Sequence, residues 1–183
     1  MKMLHLKQAD FATNRWSGGT TTQLFIWPEG ASYASREFQV RISSAVVELP
    51  ESDFTPLPGV TRYITPLSSS FTLTHPGKAP VVMNPLDAPY RFSGEESTHC
   101  VGKATDFNLM LKGVEGEMCL AHTDAQLRPG LNAFYAPAPR RFTVDGAEFP
   151  LQAGEMLVVI TDTPDKILLG PEKCLACYAA VNM

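Results

Sequence analysis

The sequence predicts an all-β protein. No window of ten or more residues has apolar side chains at the i, i+3, i+4, i+7 spacing of an amphipathic helix, so α-helices are not expected. Apolar residues instead occur in short, β-branched and aromatic runs. The chain also has 13 glycines and 15 prolines among 183 residues, which supply turns between such runs. This combination is typical of a β-sandwich or a β-barrel.

The first part of the chain predicts a series of short strands separated by turns. Residues 38–47 alternate most clearly, with Val40 and Ile42 on one face and Arg41 and Ser43 on the other. The Pro28-Glu29-Gly30 segment ends the strand before it. The other strands predicted here are 3–6, 20–27, 62–67, 70–75, 79–83 and 105–111.

The second part of the chain repeats this pattern after a candidate linker at residues 113–116. Its predicted strands are 117–122, 131–136, 141–144, 147–152, 156–161, 166–169 and 174–181. We therefore predict two β-barrels that can share strands. The N-terminal barrel, residues 1–112, carries the expected ligand pocket, and residues 113–183 form a smaller C-terminal barrel.

The amino-acid composition of the chain disfavours several classes of function. Hydrophobic residues make up 44% and charged residues 19% of the chain, as in folded globular proteins. The net charge of −4 comes without any basic block, which disfavours nucleic acid as a partner. No apolar run approaches the roughly 20 residues that span a bilayer, and the N-terminus lacks an apolar signal segment, so we expect a cytoplasmic protein without a membrane partner. The spacing of the four cysteines indicates reduced thiols.

A rigid turn precedes the first candidate ligand-binding residue. Pro56, Pro58 and Gly59 break any regular element, because proline fixes φ and glycine accepts positive φ. Arg62 follows within the first residues of a new strand. A guanidinium held there suits a carboxylate, since its planar donors match the two carboxylate oxygens. The alternative is an ordinary exposed arginine that closes a hairpin.

A wider set of polar residues completes a predicted binding site. Two arginines supply charge, neutral side chains and a glycine backbone supply hydrogen bonds, and a tryptophan supplies an apolar wall. The candidates are Asn14, Trp16, Gly18, Gly19, Arg41, Ser43, Arg62 and Asn108. For Arg41 the alternative is an ion pair with Asp106 on a neighbouring strand. For Trp16 the alternative is core packing, which is also the better interpretation of Trp27.

Four sequence segments, in a fixed order, resemble the HutD/Ves family. They are 16–19 with the threonines that follow, 41–45, Phe54 followed by 58–62, and 106–110. The resemblance covers roughly the first 112 residues and implies a cupin-like bicupin, with two RmlC-like jelly-roll barrels. One departure stands out: Gln23 and Leu24 follow Thr22, where the family often has an Arg-Glu pair.

Metal and covalent chemistry are not expected. Most metal-dependent cupins use a His-x-His pair with a following Glu, whereas the four histidines here are isolated: His5, His75, His99 and His122. Cys174 and Cys177 fall on opposite faces of a strand, so we interpret them as core residues. No serine lies in a Gly-x-Ser-x-Gly motif. We therefore predict no metal, no cofactor and no catalytic residue.

The resemblance also implies a link to bacterial histidine utilisation, with a regulatory role and binding of intermediates such as formylglutamate or urocanate. We therefore expect metal-independent binding of a small carboxylate metabolite, in a regulatory or accessory role. One alternative is a metal-free cupin enzyme, an isomerase or hydrolase acting on a similar acid. Another is an interaction module that recruits a protein. A homodimer is one of the assemblies to test.

Overall fold

The computed structural model describes residues 1–182, and this range contains no α-helix. One short 3-10 helix, Gln8–Asp10, is the only helical element there. The all-β prediction is therefore confirmed.

The strands are β1 (Lys2–Leu6), β2 (Ala12–Trp16), β3 (Gly19–Trp27), β4 (Val40–Val47), β5 (Glu51–Asp53), β6 (Val60–Ser68), β7 (Phe71–Thr74), β8 (Val81–Met83), β9 (Tyr90–Ser93), β10 (His99–Val101), β11 (Thr105–Lys112), β12 (Gly116–Leu127), β13 (Gly130–Tyr135), β14 (Arg140–Val144), β15 (Ala147–Leu151), β16 (Met156–Thr161) and β17 (Asp165–Ala179).

The strands form two compact units. The N-terminal unit is Ala12–Gly113, and the C-terminal unit combines Met1–Phe11 with the chain from Val114 onward. The predicted division after residue 112 differs at the start of the chain, because β1 pairs along its whole length with β16, as in the Leu4 and Val158 pair. A first strand has no local signal that identifies so distant a partner.

The C-terminal unit is one antiparallel sheet. Its strand order is β1-β16-β13-β17-β14-β15, and β12 pairs with β17. The predicted strands 166–169 and 174–181 are one continuous strand, β17, in which Gly170 takes a φ of 79° opposite an irregularity at Thr123. One face packs a buried core that includes Phe142, Leu157, Ile167 and Cys174. The core role predicted for Cys174 is therefore confirmed.

The N-terminal unit has a six-stranded sheet, β2-β3-β4-β11-β6-β9, and a four-stranded sheet, β5-β10-β7-β8. The sequence did not predict β2, β5, β9 or β10, which are only three to five residues long. Ile64 of β6 and Leu73 of β7 are fully buried in a core shared by the two sheets. Among residues 1–182, no helix has the length and apolar character needed to cross a membrane.

Strands β4 and β11 are buried on both faces. Val40 and Ile42 are fully buried on one face of β4, as the alternation predicts, while Arg41 and Ser43 are buried on the other. Strand β11 is arranged in the same way, because Asn108 shares the face of Ser43 across the strand pair. The six-stranded sheet therefore has one apolar face and one buried polar face.

Candidate functional site

A cavity of about 390 Å³ lies on the buried polar face of the six-stranded sheet. Most of the residues predicted to bind a ligand line it: Asn14, Trp16, Arg41, Ser43, Arg62 and Asn108. Gly18 and Gly19 are buried beside the cavity wall and are not among its lining residues. The structure thus brings together side chains from strands that are far apart in sequence.

Arg41, Met110 and Arg62 form one row across three adjacent strands. Met110 of β11 lies opposite Arg41 of β4 on one side and opposite Arg62 of β6 on the other. Arg41 Nη1 is 3.8 Å from Met110 Sδ, and Arg62 Nη2 is 3.0 Å from the Oδ1 atom of Asn108, also on β11. The two guanidinium groups therefore reach over the same strand. Each arginine is only 6% exposed.

Arg41 has neutral partners. Its Nε donates to Gln23 Oε1 at 3.2 Å, and its Nη1 donates to Ser43 Oγ at 3.1 Å. The guanidinium carbon lies 3.9 Å from the centre of the Tyr33 ring. The alternative ion pair with Asp106 is wrong, because Asp106 lies opposite Ala45 and not opposite Arg41. Burial lowers the pKa of Arg41, against the opposing effect of Tyr33.

Arg62 is linked to Asp106 through an amide. Arg62 Nη2 donates to Asn108 Oδ1, and Asn108 Nδ2 donates to Asp106 Oδ1 at 2.5 Å. The backbone N–H of Ala45 donates to the same carboxylate oxygen at 3.3 Å. Arg62 Nε is buried and has no hydrogen-bond partner in the part of the chain that the structure describes, and the guanidinium carbon is 4.7 Å from the centre of the Phe54 ring. Asp106 is therefore a nearby countercharge that does not bond Arg62 directly.

Burial shifts the pKa values of both Arg62 and Asp106. It lowers the pKa of Arg62 to about 10, so that the guanidinium stays charged at neutral pH. It raises the pKa of Asp106 to about 7, against the opposing effects of Arg62 and of the bonds from Ala45 and Asn108. Among the described residues that line the cavity, two arginines and one acid are buried, so positive charge is in excess. A cavity of this kind attracts an anion.

Comparison with known proteins identifies the family. The HutD family model matches residues 8–175. The chain belongs to the HutD family. No match was found among curated protein sequences.

Solved structures agree with this assignment at the level of the fold. HutD from Pseudomonas fluorescens SBW25 (formate condition) is 19% identical with a TM-score of 0.83, and each chain is covered completely. PA5104 from Pseudomonas aeruginosa PAO1, a conserved protein of unknown function, is 18% identical with a TM-score of 0.84 over 98% of both chains. A cupin 2 conserved barrel domain protein from Leptotrichia buccalis is 11% identical with a TM-score of 0.58, over 93% of this chain and 92% of that one. The fold is therefore cupin-like, while the division into two barrels stays a prediction.

Arg62 is not the exposed hairpin arginine of the alternative interpretation. It is the third residue of β6 and points into the cavity wall. The turn before it is held by backbone bonds, because Leu57 N–H donates to Gly94 O at 2.6 Å and Gly94 N–H donates to Val60 O at 2.7 Å. Gly59 has a φ of 72°, as the turn prediction requires. The turn therefore fixes the start of the strand that carries Arg62.

Trp16 and Gly18 act together at the cavity edge. Trp16 lines the cavity and is 38% exposed, which favours the apolar wall over core packing. A Cβ atom at Gly18 would overlap the Trp16 ring. The Gly18 carbonyl oxygen accepts from Glu48 N–H at 2.8 Å, so it is already engaged within the protein. Because Gly18 has no side chain, it leaves the space that the Trp16 ring occupies.

Two partners of Arg41 in this HutD-family chain were missed in the sequence. Tyr33 comes from the irregular segment between β3 and β4, and its ring contacts the guanidinium groups of both Arg36 and Arg41. Gln23 stands where the family often has another residue pair, and it is the acceptor for Arg41 Nε. That departure from the family pattern was the available signal, since it marked a position next to the site.

Potential metal ligands are scattered. Within residues 1–182, no group of three or more His, Cys, Asp and Glu side chains is arranged to hold a metal ion. His99 Nδ1 is 2.9 Å from Asp53 Oδ1, and His5 Nε2 is 2.8 Å from Glu155 Oε2. These are separate pairs. The donors that face the cavity are guanidinium and amide groups, which suit an anion better than a cation.

Proposed function

We propose that this protein binds a small anionic metabolite through its carboxylate, without a metal ion, in the cavity that contains Arg41 and Arg62. Membership in the HutD family suggests a role in histidine utilisation, and a regulatory or accessory role follows for a protein that binds without turnover. Formylglutamate and urocanate are the candidate ligands, because both are carboxylates of histidine degradation.

The pair of buried arginines carries this proposal. Within residues 1–182, Arg41 bonds only neutral atoms and Arg62 bonds the neutral Asn108, so neither guanidinium is bonded to a carboxylate there. Buried charges are costly unless they are paired. An incoming carboxylate supplies that pairing, and each charge-assisted hydrogen bond contributes about 1.5–3 kcal/mol.

The cavity walls support a small organic acid over a bare inorganic anion. Trp16, Phe54 and Met110 give the site apolar surface beside its charged groups. A ligand with a short carbon skeleton fills such surface while its carboxylate reaches a guanidinium. Formylglutamate offers two carboxylates to the two arginines, and urocanate offers one carboxylate with a flat ring that can stack on Trp16.

A thermal-shift screen of small carboxylic acids tests the proposal. A ligand that binds only the folded state raises the melting temperature with its concentration. Each acid is paired with its primary amide, which has nearly the same shape and no charge. We expect the acid to raise the melting temperature and the amide to have little effect. Equal shifts from acids and amides, or no shift from any acid, would overturn the proposal.

A metal-free enzyme is the second candidate, and Asp106 is the observation that favours it. An acid that lines a ligand cavity and has a pKa of about 7 can donate or accept a proton near neutral pH. Nuclear magnetic resonance of formylglutamate or urocanate incubated with the protein separates the candidates. Product that forms with the wild type and not with Asp106→Asn would establish an enzyme, and unchanged acid together with a thermal shift would establish a binding protein.

A further inference from the structure

We propose that Asp106 takes up a proton when an anion binds at Arg62, so that the site binds its ligand as an anion together with one proton. The inference rests on the proposed function, because it concerns the same cavity. It assigns a regulatory consequence to binding: the affinity for the acid depends on pH near neutrality.

Proton uptake by Asp106 is inferred from the hydrogen-bond chain that joins Arg62, Asn108 and Asp106. Within the described residues, the carboxylate accepts two side-chain or backbone hydrogen bonds, from Ala45 N–H and Asn108 Nδ2, and both end on Oδ1. Asn108 uses its own oxygen to accept from Arg62. Arg62 is thus the countercharge of Asp106 in a region where Asp106 is only 4% exposed.

A ligand carboxylate at Arg62 changes the electrostatic environment of Asp106. It brings a second negative charge to the guanidinium that already stabilises the ionised form of Asp106. Two carboxylates close together in a region of low dielectric disfavour double ionisation, so one of them binds a proton. Asp106 is the group that protonates, because its carboxyl is buried and the incoming ligand bonds the guanidinium directly.

The other charged and titratable groups around Asp106 do not replace it in this role. Arg62 faces it from β6, and its pKa of about 10 keeps it charged near neutral pH. Arg41 lies on the same side on β4, and a guanidinium is not deprotonated in proteins. Cys100 faces it from β10, and burial raises the pKa of that thiol to about 12, so the thiol stays neutral. Asp53 on β5 lines the same cavity, but it is exposed and bonded to His99.

The direction of the pH effect follows from the proton uptake. Below the pKa of Asp106 in the free protein, the carboxyl is already neutral and affinity is at its maximum. As pH rises through that value, the free protein loses the proton that the complex keeps, so affinity falls by up to about tenfold for each pH unit.

Isothermal titration calorimetry with formylglutamate at pH 8 tests the inference, because that ligand has no group that titrates near this pH. The titration is repeated in two buffers with different heats of ionisation, which gives the number of protons taken up per ligand bound. We expect a clear uptake, up to one proton, for the wild type and for Asp53→Asn, and none for Asp106→Asn. Asp53→Asn is the matched control, since it removes a different acid from the same cavity.

Binding by the wild type without proton uptake, or equal uptake by Asp106→Asn, would overturn the inference while the proposed function stands. No binding heat in either buffer would count against the proposed function, and this inference would fall with it. If Asp106→Asn does not fold, the dissociation constant of the wild type between pH 6 and 9 decides the question. An increase of tenfold or more supports proton uptake, and a flat profile overturns it.

Discussion

Arg41 and Arg62 lie on either side of Met110 in one cross-strand row, and their guanidinium groups both reach over strand β11. Two cations are thus held close together on a rigid sheet before any ligand arrives. Their positions are set by neutral partners, Ser43 and Gln23 for one and Asn108 for the other. A site ordered in this way loses little conformational freedom on binding.

Asp106 should make the stability of the protein depend on pH. Its pKa is higher in the folded protein, about 7, than its ordinary value of 3.8, so the folded state keeps a proton that the unfolded state loses. Stability from this group is fully present below about pH 4, falls as pH rises to about 7, and is constant above that. The free energy of unfolding in urea, measured from pH 4 to 8, should therefore fall more in the wild type than in Asp106→Asn. Parallel curves for the two proteins would contradict this.

Gly18→Ala should displace the Trp16 ring. The new methyl group would occupy the space of that ring, and because Trp16 is partly exposed the ring can move away. We expect a changed tryptophan fluorescence spectrum and roughly threefold to tenfold weaker ligand binding, about the contribution of one aromatic contact. The control is Gly18→Ala in a Trp16→Ala background, where no further loss of affinity should occur. An additive loss would show that Gly18 contributes independently of Trp16.

The four cysteines should differ in reactivity. All four are free thiols; Cys119 is exposed, and Cys100, Cys174 and Cys177 are buried. Titration with a thiol reagent at pH 8 should give one fast-reacting group in the native protein and four after denaturation without a reducing agent. Cys119→Ser should abolish the fast phase. Only two reactive groups in the denatured protein would reveal a disulfide.

Ligand binding should be insensitive to chelators. The cavity presents guanidinium, amide and hydroxyl groups, and Asp106 is its one buried acid among the described residues. Treatment with EDTA followed by dialysis should leave the melting temperature and the dissociation constant unchanged, and elemental analysis should find no stoichiometric transition metal. About one metal ion per chain, with stability lost in EDTA, would refute this prediction.

Local patterns in the sequence predicted much of the fold and only part of the site. The alternation in β4 is a local property, so it correctly placed Arg41 and Ser43 on one face. Strand β10 was missed because its three residues pair with β5 and β7, far away in sequence. The position of β1 was also missed, since only its pairing with β16 places it in the C-terminal unit.

Two site residues, Tyr33 and Gln23, were missed because they lie where the alternation of a β-strand is absent or interrupted. Tyr33 belongs to a connection without alternation, and Gln23 lies next to an irregularity in the pairing of β3 with β4. The burial of Arg62 was also underestimated, because a position near the start of a strand suggests exposure, whereas the Phe54 and Phe92 rings both contact its guanidinium. Arg62→Ala should therefore lower the stability of the fold as well as weaken ligand binding. Removing one member of a buried charged cluster destabilises a fold by about 3 kcal/mol.

Arg62 is the residue that we propose bonds the ligand carboxylate. Because a charge-assisted bond contributes about 1.5–3 kcal/mol, Arg62→Ala should weaken binding by roughly tenfold to a hundredfold. Arg62→Lys should recover only part of the loss, since an ammonium group cannot reproduce the planar donor pair. Arg91→Ala is the matched control, because Arg91 is exposed on the neighbouring strand β9.

The acid found in the screen is titrated calorimetrically into the wild type and these three variants, at a temperature where circular dichroism shows each to be folded. We expect unchanged affinity for Arg91→Ala, an intermediate value for Arg62→Lys and a loss of at least about tenfold for Arg62→Ala. Unchanged affinity in folded Arg62→Ala would contradict the proposed role of Arg62.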